Sequence, residues 1–300
     1  MTWKRVATAV VLIPGVVALV LWGTTAGVAV GLALIIELAL FEFFALGNAI
    51  GHRAYRFWTA ACAFLLVFVQ WWAASIPSLL GPAGMPRRFE TIQPGYARIP
   101  EFLLRFPPAI PDVLFLFLLG VALLTLATKR PVVEGLPAAG MSSSSLLLIA
   151  LPLSYAVRLE GAGYDGPSLL LFVLILTWVG DTAAYFVGRS IGKHRLAPLL
   201  SPKKTWEGTV ASFIGSLVVA YVFRRFVNIS LTHLLGMAAV ANIAGQAGDL
   251  LESAYKRSAG VKDSGTLLPG HGGILDRIDA LILAFPVVWY YWIWVYLPSR

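Results

Sequence analysis

Charge is scarce in this 300-residue sequence: Asp, Glu, Lys and Arg together make up 13% of it, against roughly 25% in ordinary soluble domains. A water-soluble chain of this length needs that charge to cover its surface, so a soluble globular fold is excluded, as are disordered and collagen-like classes. Cysteine is almost absent. Cys62 is the single one, which rules out an intramolecular disulfide and any CxxC metal or redox site. Also missing are the GxxxxGK[ST], HExxH and GxSxG elements, so soluble-type ATPase, zinc protease and serine hydrolase readings have no support. There is no internal repeat, no coiled-coil heptad and no low-complexity tract beyond Ser142–Ser145.

What is abundant is apolar. Hydrophobic residues make up 58% of the chain and the mean hydropathy is +0.79. A spanning helix needs about 20 mainly apolar residues, and candidates lie near 6–22, 25–47, 57–76, 113–128, 144–158, 168–188, 207–224, 232–253 and 279–297. The predicted fold is therefore all-α: a polytopic integral membrane protein with about nine transmembrane helices. It divides into an N-terminal transmembrane region, 1–160, and a C-terminal region, 161–300, that carries the chemistry. Residues 77–112 hold eight of the 18 prolines and read as an irregular external loop, because proline fixes φ and lacks a backbone donor. The aromatic cluster Trp289, Tyr290, Tyr291, Trp292, Trp294 and Tyr296 suits an interfacial belt.

Four connections share one membrane side: 48–56, 129–143, 189–206 and 254–278. With their helix-end residues they hold 13 of the 23 Lys and Arg, nine of them in the last two. That local excess places 189–206 and 254–278 in the cytoplasm, with the N-terminus expected outside. The net charge of +8 fits either anchoring against anionic headgroups or an anionic substrate.

The acids are placed unevenly. Seven of the 15, namely Asp181, Glu207, Asp249, Glu252, Asp263, Asp276 and Asp279, fall between 181 and 279. A carboxylate at the centre of a spanning helix costs about 2.5–3.5 kcal/mol, so something must compensate. Asp249 with Glu252, and Asp276 with Asp279, are pairs three residues apart that each share a helix face. The two helix ends lie on the same membrane side, so four carboxylates can converge. Hard oxygen ligands of this kind suit Mg²⁺; an interfacial salt-bridge network with Lys256, Arg257, Lys262 and Arg277 is the other reading.

Two further blocks point to phosphate. Ser201-Pro202-Lys203-Lys204-Thr205-Trp206-Glu207-Gly208 reads as the opening of a helix, where free N–H groups and the dipole favour an anion. Ser201 and Thr205 add hydroxyls, although Lys-Lys before a spanning helix is also ordinary positive-inside punctuation. Pro269-Gly270-His271-Gly272-Gly273 is a tight turn whose backbone N–H groups can approach a ligand, or simply a flexible loop with a turn-supporting histidine.

Together these residues resemble a known family. Ser253-Ala254-Tyr255-Lys256-Arg257, Lys262-Asp263-Ser264-Gly265 and Leu268-Pro269-Gly270-His271-Gly272-Gly273-Ile274-Leu275-Asp276-Arg277-Ile278-Asp279 are similar to the signature of phosphatidate cytidylyltransferases, also called CDP-diacylglycerol synthases. Tyr255 departs mildly from an aliphatic or Phe position. Gly180-Asp181-Thr182-Ala183-Ala184-Tyr185 and Gly248-Asp249-Leu250-Leu251-Glu252-Ser253 resemble that family's upstream blocks. The likeness is dense over 178–280 and vague over the first 150 residues.

The resemblance implies a bacterial inner-membrane enzyme with its active site facing the cytoplasm. Its partners would be CTP, phosphatidic acid and membrane lipids, with no nucleic acid and with a homodimer allowed. It implies Mg²⁺ and allows a second, monovalent cation such as K⁺. Asp249, Asp276 and Asp279 are the expected metal ligands, with Asp181 and Glu252 as supporting carboxylates. Lys256, Arg257, Lys262 and Arg277 would neutralise the triphosphate and the pyrophosphate leaving group. Ser201, Lys203, Lys204 and Thr205 would hold a phosphate, and His271, Gly272 and Gly273 would lie against the nucleotide. Replacing Asp276 by Asn is expected to cost roughly a thousandfold in rate with little change in stability. The alternatives are another membrane lipid-phosphate transferase and an ion-coupled transporter. The second predicts inverted repeats with paired broken helices, which the sequence lacks.

Overall fold

The computed structural model describes residues 2–75, 106–267 and 272–299. Most of the proline-rich stretch 77–112, and His271, lie outside the described residues. Nine helices run through the remainder. They are α1 (Thr2–Trp22), α2 (Thr25–Ala49), α3 (Arg56–Ser75), α4 (Ile110–Ala127), α5 (Val132–Glu160), α6 (Gly166–Ile191), α7 (Trp206–Phe223), α8 (Leu231–Ser258) and α9 (Leu275–Tyr291). The last continues through a π turn, Trp292–Tyr296, and a 3-10 turn, Leu297–Ser299. Eight of them, α2 to α9, are long and apolar enough to cross a membrane. The chain is an all-α polytopic membrane protein, as its apolar runs predict, because a helix satisfies its own backbone groups where lipid offers no partner.

Two local expectations are corrected. Residues 129–143 are not a connection: α5 already begins at Val132 and runs to Glu160, through a π turn at Leu146–Ala150. Its serines bond within the bundle, Ser142 Oγ donating to the Ala138 carbonyl at 2.9 Å and Ser145 Oγ to the Ser142 carbonyl at 2.9 Å. Second, Ser201 does not open a helix. Residues 195–205 form an antiparallel hairpin, β1 (Arg195–Ala197) with β2 (Ser201–Thr205), in which Arg195 faces Thr205 and Ala197 faces Ser201. The helix starts at Trp206 because Thr205 caps it, its Oγ1 accepting the Gly208 N–H at 3.2 Å. Before both segments the chain reverses across Gly23 and Thr24, where Leu19 of α1 lies against Gly27 and Gly31 of α2.

Packing uses small and polar residues as well as bulk. The most extensive contacts are α6 with α7 and α8 with α9. Between α7 and α8, Asn242 Nδ2 donates to Ser212 Oγ at 2.9 Å and to Ser216 Oγ at 2.8 Å, a type of interhelical bond suited to a membrane interior. Ile36, Leu40, Leu66, Phe172 and Leu234 are fully buried in the core. The terminal aromatics mostly face inward rather than forming a belt. Trp292 and Tyr296 are buried, Tyr290 Oη lies 2.8 Å from Tyr155 Oη, and Arg158 sits over the Trp289 ring. Trp294 alone of the six is strongly exposed.

Candidate active site

Main-chain proximity between α8 and α9 builds the site. A Cβ placed on Gly248 would lie 2.6 Å from the Asp279 carbonyl oxygen, so the two helices approach there only because residue 248 has no side chain. On α8 this aligns Asp249, Glu252 and Lys256, spaced three and four apart on one face. Asp276 and Asp279 occupy the first turn and a half of α9, facing them.

The charges form two linked groups. In the first, Lys256 Nζ bridges Glu252 Oε2 and Asp276 Oδ1, the latter at 2.6 Å. Asp276 Oδ2 accepts the Ser264 N–H at 3.0 Å, the Ser264 hydroxyl at 3.0 Å and the Gly273 N–H at 2.8 Å. Four donors thus converge on one carboxylate, the Ser264 hydroxyl proton being shared with Glu42. Gly272, with φ of +84°, supplies the left-handed turn that aims these groups. In the second, Lys204 Nζ of β2 meets Asp249 Oδ2 at 2.5 Å. Asp181 of α6 is within electrostatic reach of Asp249, Lys204 and Arg277. Asp279 senses Asp249, Glu252 and Asp181 in the same way. Four carboxylates from three helices therefore share one region, with Lys204, Lys256 and Arg277 beside them.

Other expected residues stand apart. Lys203 and Lys262 are exposed. Arg257 is exposed and acts as a staple, Nε donating to the Leu200 carbonyl and Nη1 to the Val261 carbonyl, each at 3.1 Å; it ties the hairpin to the end of α8. The Thr205 hydroxyl serves the helix cap, Ser201 is half-buried on β2, and the Gly273 N–H is taken by Asp276. Glu207 pairs with His194 across the hairpin, Oε1 to Nδ1 at 2.7 Å. Asp263 is exposed.

Two contributors are new. Glu42 of α2 is 2% exposed and accepts the Ile274 N–H at 3.0 Å, the Leu275 N–H at 2.9 Å and the Ser264 hydroxyl at 2.9 Å. It caps α9 from the other half of the protein. Its sequence signal was available, since a carboxylate inside an apolar helix is costly wherever it occurs. Ser264, buried at 5%, links Glu42 to Asp276.

A divalent cation can be tested against this donor set. Glu252 Oε1 is buried and has no hydrogen-bond partner among the described residues, so one carboxylate oxygen is desolvated without a donor there to compensate it. Its neighbours are carboxylate oxygens, the ligand type that Mg²⁺ takes. Asp181, Asp249, Glu252 and Asp279 therefore fit a cation by chemistry and charge, although no group of three such side chains has metal-holding geometry among the described residues. Asp276 fits less well, its oxygens already meeting four protein donors.

Comparison with known proteins adds the last observation. The sequence pattern of a cytidylyltransferase family matches residues 3–295. The phosphatidate cytidylyltransferase of Haemophilus influenzae is 48% identical over 138 residues, covering 44% of this chain and 48% of that protein. Those of Staphylococcus saprophyticus and Staphylococcus haemolyticus are 48% and 46% identical over 136 residues, covering 45% of this chain and 50% of theirs. The chain spans about half the length of the curated relatives it matches.

Proposed function

The chain belongs to the cytidylyltransferase family, and from that premise we propose that it transfers CMP from CTP to phosphatidic acid, giving CDP-diacylglycerol and pyrophosphate. The observation that carries this reading is the gathering of Asp181, Asp249, Glu252 and Asp279 beside Lys204, Lys256 and Arg277 at one end of the helices. Acids alone suit a cation channel and bases alone a headgroup anchor. Both together suit the movement of a polyanion.

In the proposed reaction a phosphate oxygen of the lipid attacks the α-phosphorus of CTP. The bond from that phosphorus to the bridging oxygen breaks, and pyrophosphate leaves with the electron pair. The lipid phosphate is a monoester with a second pKa near 6, so it is largely dianionic at neutral pH and requires no general base. The obstacle is anion meeting anion, and fixed charge is the remedy. Lys204 and Lys256 are half-buried and already held by carboxylates; in this reading they exchange part of those contacts for phosphate oxygens. Asp276 holds Lys256 and the Ser264–Gly273 turn in place, a positioning role. Mg²⁺ held by Asp249 and Asp279, with Asp181 and Glu252 in support, would supply charge neutralisation at the triphosphate. The remaining carboxylate charge suits a second, monovalent cation such as K⁺.

CTP is a cytoplasmic metabolite, so this reading sets the site on the cytoplasmic face of the cell membrane, in agreement with the Lys and Arg excess of 189–206 and 254–278. The test is incorporation of radiolabelled CTP into lipid by detergent-purified protein. Label is expected in lipid only when phosphatidate and Mg²⁺ are both present, with one pyrophosphate released per lipid labelled. No transfer to phosphatidate under those conditions overturns the proposal.

A further inference from the structure

We propose that the ends of α2, α3 and α4 form a binding site for one anionic glycerophospholipid, separate from the carboxylate site. A pocket of about 380 Å³ is lined there by Asn48, Arg53, Arg56 and Arg130. It adjoins an apolar groove of about 430 Å³, with which it shares Ala54, Arg56 and Arg130, and along which lie Phe57, Trp58 and Leu124. None of these residues belongs to the carboxylate cluster.

Three guanidinium groups thus line one concavity, and among the described residues none of them has a carboxylate within salt-bridge distance. Their arrangement is built. Arg130 Nη1 donates to the Arg53 carbonyl at 2.6 Å, and the Arg130 guanidinium lies 5.4 Å over the Tyr55 ring. Tyr55 is fixed in turn, its N–H donating to Ser142 Oγ at 2.8 Å and its hydroxyl lying 2.9 Å from Thr125 Oγ1. The groove floor is equally set: Trp58 Nε1 donates to the Phe117 carbonyl at 3.1 Å, and the indole lies directly on Gly120.

The chemistry of the occupant follows. Planar guanidinium forks match phosphate oxygens, and three positive charges with no carboxylate partner among the described residues favour a net anion. A soluble anion would leave the adjoining groove empty, whereas a phospholipid fills both parts, phosphate in the arginine pocket and acyl chain along Trp58 and Leu124. A zwitterionic lipid brings its own cation into the pocket and is disfavoured. Arg53 and Arg56 are exposed, as Lys129 is, but they and half-buried Arg130 line the pocket, whereas Lys129 lies outside both lining sets as ordinary positive-inside punctuation.

The test is native mass spectrometry of the full chain released from micelles containing equal phosphatidylglycerol and phosphatidylcholine with identical acyl chains. One phosphatidylglycerol is expected to be retained with a preference of about tenfold. The preference is expected to fall within about twofold in R53Q/R56Q/R130Q, and to be lost in Leu124→Trp, which fills the groove. Lys129→Gln, which removes equal charge outside the pocket, is expected to keep it. Should the triple variant fail to fold, Arg56→Gln alone, whose side chain makes no hydrogen bond to the described residues, is expected to lower the preference by about threefold. Millimolar inorganic phosphate is expected not to displace the lipid. An equal uptake of the two lipids by the parent, a preference that survives in the arginine variants, or displacement by inorganic phosphate overturns the proposal.

Discussion

Ser264 and Glu42 are 222 positions apart, yet the Ser264 hydroxyl donates to Glu42 Oε2 at 2.9 Å. The same carboxylate receives the first N–H groups of α9. Asp276 grips the other side of the loop through Ser264 and Gly273. Two acids, one from each half of the chain, therefore hold the segment that connects α8 to α9.

Glu42→Ala leaves the Ile274 and Leu275 N–H groups without their acceptor, while the Ser264 hydroxyl keeps Asp276, and each such loss costs about 1–3 kcal/mol. A clearly lower melting temperature in detergent and a turnover reduced at least about tenfold are expected. Glu42→Gln keeps one acceptor oxygen and should fall between parent and Ala. A parental melting curve for Glu42→Ala would show that the cap carries no stability.

For Asp276→Asn, sequence alone predicts lost activity with unchanged stability. The structure alters the second half of that expectation. An amide at 276 must turn its NH₂ toward either Lys256 or the Ser264 and Gly273 donors, setting donor against donor. Turnover is expected to fall by roughly a thousandfold together with a lower melting temperature, measured on the same preparation. Retention of a third of parental turnover would remove Asp276 from the machinery altogether.

Excess EDTA is expected to abolish transfer, and Mg²⁺ to restore it. A second readout is independent of catalysis: Mg²⁺ should raise the melting temperature of the parent but not of an Asp249→Asn, Asp279→Asn double variant. Full turnover in EDTA, or equal stabilisation of both proteins, returns these acids to salt-bridge duty.

Gly248→Ala and Gly245→Ala separate backbone proximity from helix propensity. A methyl at 248 would meet the Asp279 carbonyl at 2.6 Å, whereas one at 245 finds Ala280 at an ordinary 3.4 Å. The first should destabilise by about 1–3 kcal/mol and depress turnover; the second should be near neutral. Equal melting temperatures and rates for the two variants would dissociate α8–α9 spacing from the site.

Orientation can be read from an engineered thiol. Ser264 is buried and bonded, which makes it a poor probe, but Lys262 is exposed and the native Cys62 is fully buried. Lys262→Cys is expected to resist an impermeant external reagent in intact cells and to react after lysis. Labelling before lysis places the loop outside.

The helices were legible in the sequence because lipid imposes a length and a polarity on each segment alone. Each of the nine apolar runs became a helix, with ends displaced by a few residues except at α5. There the serine tract looked like a linker, since whether a serine suits a helix depends on what its hydroxyl meets, and Tyr55 lies far away in the chain. The hairpin at 195–205 was hidden for the same reason: Ser201–Thr205 is a strand only because Arg195–Ala197 lies beside it. In the site, spacing sets Asp249 and Glu252 on one helix and Asp276 and Asp279 on the next, but the charges group across the helices, Glu252 with Asp276 through Lys256 and Asp249 with Lys204. What spacing cannot give is which acids already have partners, and Asp276, with four donors, proved the most occupied. Glu42 shows in the sequence only as an acid in an apolar run, because no local spacing links it to its partners at 264, 274 and 275.

The cap that Glu42 supplies also has a timing. Helices enter the membrane in the order of their synthesis, so α2 is in place long before Ile274 and Leu275 exist. Until α9 is made, Glu42 lies toward the C-terminal end of an apolar helix without the donors that satisfy it, at an insertion cost below that of a carboxylate at mid-span, about 2.5–3.5 kcal/mol. The nascent protein is therefore unsettled at this position until α9 arrives, and α9 then quenches an acid inserted more than two hundred residues earlier. Chains cut short between α8 and α9 should accordingly be preferred substrates for membrane quality-control proteases, even though every earlier helix is intact.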